Sequence, residues 1–229
     1  WVPDTYQGAP TPFVAFLSVG PKVAGVAAMS AIFLLAFGDQ APTWRPALSL
    51  AAILTMAVGN LLALPQTDTR RMLAYSGIAQ MGYVMVALCA GDAYALGMVL
   101  FFLAAYVVTN MGAFLVVHAV GESGAGYDVE SMSGLFQRHA TLALAMLMFL
   151  LSLAGIPFVV GFWAKLYVFL AAWKAGLWLL VIVGITLAAI GLFYYLRVAR
   201  AAYMLEPGDR PVPRPGGPLM AAILICLLG

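Results

Sequence analysis

Apolar residues run in long blocks along this chain, and polar residues collect in short stretches between them. The blocks are Pro12–Phe37, Ala47–Pro65, Leu73–Ala90, Tyr94–Val120, Thr141–Ala172 and Leu177–Leu205, and a further one begins near Pro218. Each complete block reaches the ~20 residues that a helix needs to cross about 30 Å of hydrocarbon. Outer-membrane strands would instead alternate with period two over runs of ~10 residues. The pattern therefore predicts an all-α integral membrane protein, a polytopic helical bundle of about six full spans and the start of a seventh. Trp1–Thr11, with Pro3, Asp4, Gly8 and Pro10, reads as loop or interfacial sequence.

Two blocks carry signs of interruption. Thr141–Ala172 holds a single charge, Lys165, and as one straight helix it would be ~48 Å long, more than the bilayer core requires. Pro157 has no amide hydrogen for the Leu153 carbonyl and crowds it, while Gly155 and Gly161 loosen the flanks. An interrupted helix with freed carbonyls near Lys165 is expected. In Pro12–Phe37 the only charge is Lys22, directly after Gly20 and Pro21, and Pro21 frees the Leu17 carbonyl. Lys22 lies ~15 Å along that helix, near mid-membrane. The plainer reading of the Pro157–Lys165 motif is a proline kink beside a lysine that snorkels to the interface, seven residues from the end of the block. The functional reading is that discontinuous helices with an ionisable residue at depth build ion sites in transporters.

Composition agrees with membrane residence: 64% of residues are hydrophobic, 9% are charged and the mean hydropathy is +1.00. The formal charge of +2 is spread thinly over loops, and no basic patch suggests a nucleic-acid partner. Its distribution says more. If each block crosses once, Arg70, Arg71, Arg138, Arg197, Arg200, Arg210 and Arg214 fall on the side of Trp1, and only Arg45 and Lys174 fall on the other. Seven against two puts Trp1 on the cytoplasmic side by the positive-inside rule, and a bacterial plasma (inner) membrane is expected rather than an organelle membrane. All nine acids lie in loops, so Lys22 and Lys165 are the only ionisable acid or base groups deep in apolar sequence. Cys89 and Cys226 sit in different blocks without neighbouring ligand residues and read as core residues, with no metal or iron–sulfur site. Opening on Trp1 and stopping inside an apolar run, the sequence reads as a fragment.

A lysine at the centre of a membrane helix costs about 2.5–3.5 kcal/mol on insertion scales, so each of the two needs compensation. A buried lysine can hold and give up a proton, which is relay chemistry. Uncharged polar residues available to connect the pair through water are Thr55, Asn60, Tyr75, Ser76, Gln80, Tyr83, Tyr106, Thr109, Asn110, Tyr167, Tyr194 and Tyr195. Taken singly, each serves equally as glue between helices or as part of an interfacial belt. His118 near a span end and His139 in a loop are poorly placed for a relay.

Four stretches together resemble the N-type antiporter-like subunit of respiratory complex I, the proton-translocating NADH:quinone oxidoreductase. They are Trp1–Pro12, Gln66–Tyr83 with its Arg70-Arg71-Met-Leu-Ala-Tyr-Ser core, Tyr106–Phe114 with Thr109-Asn-Met-Gly-Ala, and Leu151–Tyr167. The first two are shared with multisubunit cation/proton antiporters, whereas Thr109–Phe114 replaces a histidine and lysine motif of the sister subunits. The likeness covers nearly the whole chain.

The resemblance implies fourteen helices in two inverted five-helix repeats, each with one broken helix. Residues 1–46 would be a loop and the last helix of the first repeat, 47–205 the second repeat with 141–172 interrupted, and 206–229 a loop and the start of the final helix. Lys22 and Lys165 match the lysines of the eighth and the broken twelfth helix, with Pro21, Gly155 and Pro157 supporting the breaks. Many family members have lysine in place of Arg70 and histidine in place of Gln80, so no proton-transfer role passes to Gln80. The implied function is proton translocation through buried lysines, with no cofactor in this chain. NADH, FMN, iron–sulfur clusters and quinone would belong to other subunits of the enzyme, and the partners would be other membrane-arm subunits and the lipid bilayer. The alternatives are a subunit of a multisubunit sodium/proton antiporter and a non-pumping membrane scaffold.

Overall fold

In the computed structural model, residues 1–228 are described, and the apolar blocks are helical. A short helix, α1 (Val2–Gly8), precedes a broken span made of α2 (Thr11–Leu17) and α3 (Gly20–Ser30), which runs on as a π-helical turn to Ala36. Three continuous helices follow: α4 (Ala41–Ala63), α5 (Thr69–Ala90) and α6 (Ala93–Val120). After a small helix α7 (Leu135–Arg138) comes the second broken span, α8 (Ala140–Ala154) and α9 (Val160–Lys174). The chain continues through α10 (Trp178–Met204) into α11 (Gly217–Leu228).

Boundaries differ from the sequence reading at three places. Residues 1–11 are not loop throughout. Pro3 occupies the first turn of α1, where no amide hydrogen is required, Asp4 favours the helix N-terminus, and Pro3 and Tyr6 are buried. Helix α4 starts at Ala41 and takes Pro46 inside it. Pro46 there forfeits one backbone bond, and the Trp44 indole donating to the Phe37 carbonyl at 2.8 Å fixes the entry. The stretch 121–140 holds a π-turn at Gly121–Ala125 and a 3-10 turn at Val129–Met132 besides α7.

Helix α5 is the centre of the bundle, with 16 of its 22 residues buried; α1, α4, α6, α9 and α10 pack around it. Its start is set by Asp68, whose carboxylate accepts from the amides of Arg70 (2.8 Å) and Arg71 (3.1 Å) and pairs with the Arg70 guanidinium at 3.1 Å. Its end is Gly91 at φ +78°, the left-handed turn that only glycine adopts without strain. Small residues let α4 and α5 approach closely. A Cβ on Gly59 would run into the Ala79 backbone, and one on Gly82 into Met56. In lipid such close packing, rather than apolar burial alone, is what holds helices together.

The loops sort onto two ends as the alternation of spans requires. At one end Arg71 pairs with Asp4 at 2.6 Å, the Val129 amide donates to the Thr67 carbonyl at 2.8 Å, and Arg138 donates to the Pro211 carbonyl at 2.8 Å. Arg197 also holds the Leu64 carbonyl there at 2.9 Å, together with that of Gln66. At the other end Arg45 reaches the Ala90 carbonyl at 3.4 Å, and Lys174 lies 4.2 Å from the Tyr94 ring centroid.

The α4–α5 contact is testable by adding volume. Gly59→Val is expected to destabilise the protein by about 1–3 kcal/mol, seen as a lower thermal midpoint in detergent. Gly25→Val, at a helical position where an added Cβ meets nothing within 4 Å, should leave the midpoint nearly unchanged.

Candidate functional site

The second helix break is built around one carbonyl. Helix α8 ends at Gly155, whose φ of +81° turns the chain so that the Gly155 and Ile156 amides both return to the Leu151 carbonyl at 3.0 Å. Pro157 stands where the amide partner of Leu153 would be. The Leu153 carbonyl is thereby left open, and it accepts from Lys165 Nζ at 2.7 Å and from Gln80 Nε2 at 2.8 Å. Lys165 also donates to the Ala154 carbonyl at 3.1 Å. The lysine side chain folds back from α9 into the bundle, and the residue is only 7% exposed; it does not snorkel. A charge-assisted hydrogen bond is worth about 1.5–3 kcal/mol, so two carbonyls roughly offset the about 2.5–3.5 kcal/mol of placing a lysine at depth. The Tyr83 ring adds a cation–π contact at 4.8 Å. Phe158, in the connecting segment, has φ +81°, a costly conformation for a residue with a side chain, in the middle of the break.

The first break follows the same rule with a different donor. Pro21, in the first turn of α3, leaves the Leu17 carbonyl open, and the Tyr6 hydroxyl of α1 donates to it at 3.1 Å. Lys22 does not take the freed carbonyl. Half-buried, it donates to the Tyr106 hydroxyl at 2.8 Å, and Tyr106 in turn donates to the Ser18 carbonyl at 3.2 Å. Asn110 donates to the Ser18 hydroxyl at 2.8 Å. Among the described residues, neither lysine forms an ion pair with a carboxylate.

Between the two lysines lies a narrow void of about 10 Å³, lined among others by Tyr106, Thr109, Ser152, Gln80 and Lys165, about the room one water needs. Beyond it the polar line continues. Gln80 donates to the Tyr195 hydroxyl at 3.2 Å, and Tyr195 shares a short hydrogen bond with Ser76. On the other side of Lys165, Asn60 donates to Tyr83 at 3.1 Å and accepts from Tyr194 at 3.1 Å. The arrangement is a band of hydroxyl, amide and ammonium groups across an otherwise apolar bundle, with the lysines as its only titratable cations.

Of the polar residues singled out in the sequence, Asn60, Ser76, Gln80, Tyr83, Tyr106, Asn110, Tyr194 and Tyr195 join this band by hydrogen bonds, and Thr109 lines the void while bonding the Ala105 carbonyl of its own helix at 2.7 Å. Among the described residues Thr55 makes no side-chain hydrogen bond, Tyr75 lies by Arg71, and Tyr167 packs edge-on to Phe101 and tilted against Trp163. Four participants escaped the sequence reading: Tyr6, Ser18, Ser152 and Gly77. Ser152 Oγ accepts from the Gly161 amide at 3.1 Å across the break. A Cβ on Gly77 would collide with the Lys22 ammonium, just as one on Gly155 would meet Lys165 Cδ at 2.8 Å. The proximity of Ser18 to the Gly20-Pro21 break was a usable signal for that residue; nothing local marks Tyr6 or Gly77. A cleft of about 560 Å³ lies elsewhere, at the loop end near Asp128 and Arg200.

Comparison with known proteins agrees with this architecture. The family described as NADH:quinone oxidoreductase/Mrp antiporter, transmembrane, matches residues 1–191. The chain is 44% identical to "NADH-quinone oxidoreductase subunit N 2" of Roseiflexus castenholzii over all of this chain and 48% of that protein. It superposes on a chain of respiratory complex I from Thermus thermophilus with a TM-score of 0.85 and 33% identity, covering 100% of this chain and 50% of the other. A chain of the Mrp complex from Dietzia sp. gives 0.85 at 25% identity, over 93% and 40%. The chain thus spans about half the length of the curated relatives it matches. With a family match over most of its residues, two broken helices and a lysine beside each break, the chain belongs to the NADH:quinone oxidoreductase/Mrp antiporter transmembrane family.

Proposed function

We propose that this chain is part of a membrane-arm subunit of a NADH:quinone oxidoreductase and passes protons laterally between Lys22 and Lys165. The observation that carries the reading is the polar line from Lys22 through Tyr106 and a water-sized void to Lys165, in a bundle with no other titratable cation at depth. Lys22 would hand a proton through the Tyr106 hydroxyl and a water in the void to Lys165, and Lys165 would release it again to water at the break. Gln80 has no proton to exchange. By donating to both the Leu153 carbonyl and Tyr195 it positions the acceptor that Lys165 uses. Electron transfer, with its flavin, iron–sulfur clusters and quinone, would take place in other subunits, and other membrane-arm subunits would be its neighbours. The relatives' names favour this over the free-standing antiporter, which shares the architecture. Residues 47–205 correspond on this reading to one five-helix repeat with its fourth member broken, 1–46 end the preceding repeat and 206–229 lead into the last helix. The end bearing Arg70, Arg71 and Arg138 would face the cytoplasm of a bacterial cell.

Three measurements test it. In the assembled enzyme in vesicles, Lys165→Ala and Lys165→Arg should both lose most quinone-linked proton uptake at matched assembly, because arginine keeps the charge but does not release its proton. Full pumping by the arginine variant would leave Lys165 a structural charge.

Lys22→Met, which keeps volume and removes the proton site, should lower the proton-to-electron ratio. Tyr106→Phe, which removes only the hydroxyl that meets Lys22, should lower it less. A wild-type ratio in Lys22→Met would end the relay reading.

For orientation, single cysteines at the exposed positions Thr67 and Gln40 should differ toward an impermeant thiol reagent. Thr67→Cys is expected to be protected in intact cells and Gln40→Cys labelled; the reverse pattern refutes the cytoplasmic assignment.

A further inference from the structure

The loop end that carries most of the arginines also holds a cleft of about 560 Å³, and its chemistry is not that of the proton line. One wall is the end of α10, with Arg197 and Arg200, and the facing wall is the 3-10 segment with Asp128 and Glu130, with Thr67 at the rim. Two acids and two arginines thus share one cleft of about 560 Å³. Among the described residues, no salt bridge closes between them, and the side chains of Asp128, Glu130 and Arg200 make no hydrogen bond. Opposite charges that could neutralise one another line the same cleft without closing an ion pair.

Below the arginines the surface changes character. A second groove, of about 500 Å³, shares Arg197 and Arg200 with the cleft and is otherwise lined by Leu147, Phe193, Leu196, Ala199, Tyr203 and Met204. Phe193, Leu196, Arg200 and Met204 lie on one face of α10 at helical spacing, so the groove runs ~10 Å from Arg200 toward the membrane centre. Arg197 fixes the depth. Its guanidinium caps the Leu64 and Gln66 carbonyls where α4 ends, at the loop end of the bundle where an interfacial headgroup would lie.

We propose that this site binds a zwitterionic aminophospholipid, with its phosphate at Arg200 and Arg197, its primary ammonium at Asp128 and Glu130, and one acyl chain along the apolar groove of α10. The charge pattern selects this occupant. A purely anionic headgroup would meet two carboxylates, and a quaternary ammonium could not donate hydrogen bonds to them. A polar cup joined to an apolar channel fits one amphiphile better than a helix, which carries no adjoining phosphate and amine. The inference needs only that the chain spans a membrane and is independent of the proton-transfer reading.

The test is competitive lipid retention by the assembled complex in nanodiscs containing phosphatidylethanolamine, phosphatidylglycerol and phosphatidylcholine, read by native mass spectrometry of the released subunit. Phosphatidylethanolamine is expected to be retained over each of the others by about tenfold, the worth of one charge-assisted hydrogen bond. Arg200→Gln should lose that retention. Asp128→Asn combined with Glu130→Gln should keep phospholipid binding but turn the preference toward phosphatidylglycerol. Ala199→Trp, which fills the groove without changing charge, should release the lipid. These side chains are exposed or half-buried, so unchanged thermal midpoints are expected to accompany the losses. Equal retention of the three lipids, a wild-type preference for phosphatidylglycerol or phosphatidylcholine, or full retention by Arg200→Gln would overturn the proposal.

Discussion

Inside hydrocarbon a backbone carbonyl without a partner costs several kcal/mol, and there is no bulk water to meet it. A proline within a span creates such a carbonyl four residues earlier, at Leu17 for Pro21 and at Leu153 for Pro157. The rest of this bundle answers those two vacancies. At Leu153 the donors are Lys165 and Gln80; at Leu17 the donor is Tyr6 from the short helix that leads into the fold. At Leu153 the same bonds settle the problem of the lysine, whose charge at depth needs acceptors as much as the carbonyl needs donors, so that break and lysine compensate each other there. Lys22 is met by the Tyr106 hydroxyl instead of by the carbonyl its break frees.

Room is the second requirement. A lysine head can enter a packed bundle only where something is missing, and in both cases the missing group is a glycine side chain, Gly77 facing Lys22 and Gly155 facing Lys165. The central helix α5 serves both sites. It supplies Gly77 on the Lys22 side and Gln80 and Tyr83 on the Lys165 side, within two turns of helix. Its anchoring by Asp68 at one end and Gly91 at the other therefore sets the register of the whole polar band. Charge is otherwise confined to the two ends of the bundle, where arginines cap carbonyls of neighbouring helices and, around Arg200, leave a cleft whose opposed charges do not reach one another.

The number and length of spans, their alternation and the two breaks are local properties, because hydropathy acts over one span and a proline acts on the carbonyl four residues before it. They were legible in the sequence. So were Lys22 and Lys165, since an ionisable residue in apolar sequence needs no partner to be noticed. The sequence reading overestimated the loops at 1–11 and 38–46, where prolines sit in helix first turns or cost only one bond.

Partnership was decided by tertiary structure. The sequence placed Lys22 beside a freed carbonyl, but the fold gave that carbonyl to Tyr6 and gave Lys22 the hydroxyl of Tyr106, 84 residues away. It also divided twelve equivalent-looking polar residues into those that join the band and those, such as Thr55 and Tyr167, that do not. The reason is physical: a hydrogen bond extends about 3 Å, and which side chains come within that reach depends on how helices distant in the chain are rotated against one another. Hydropathy and proline spacing determine where a helix runs and where it breaks; only packing determines what stands opposite the break.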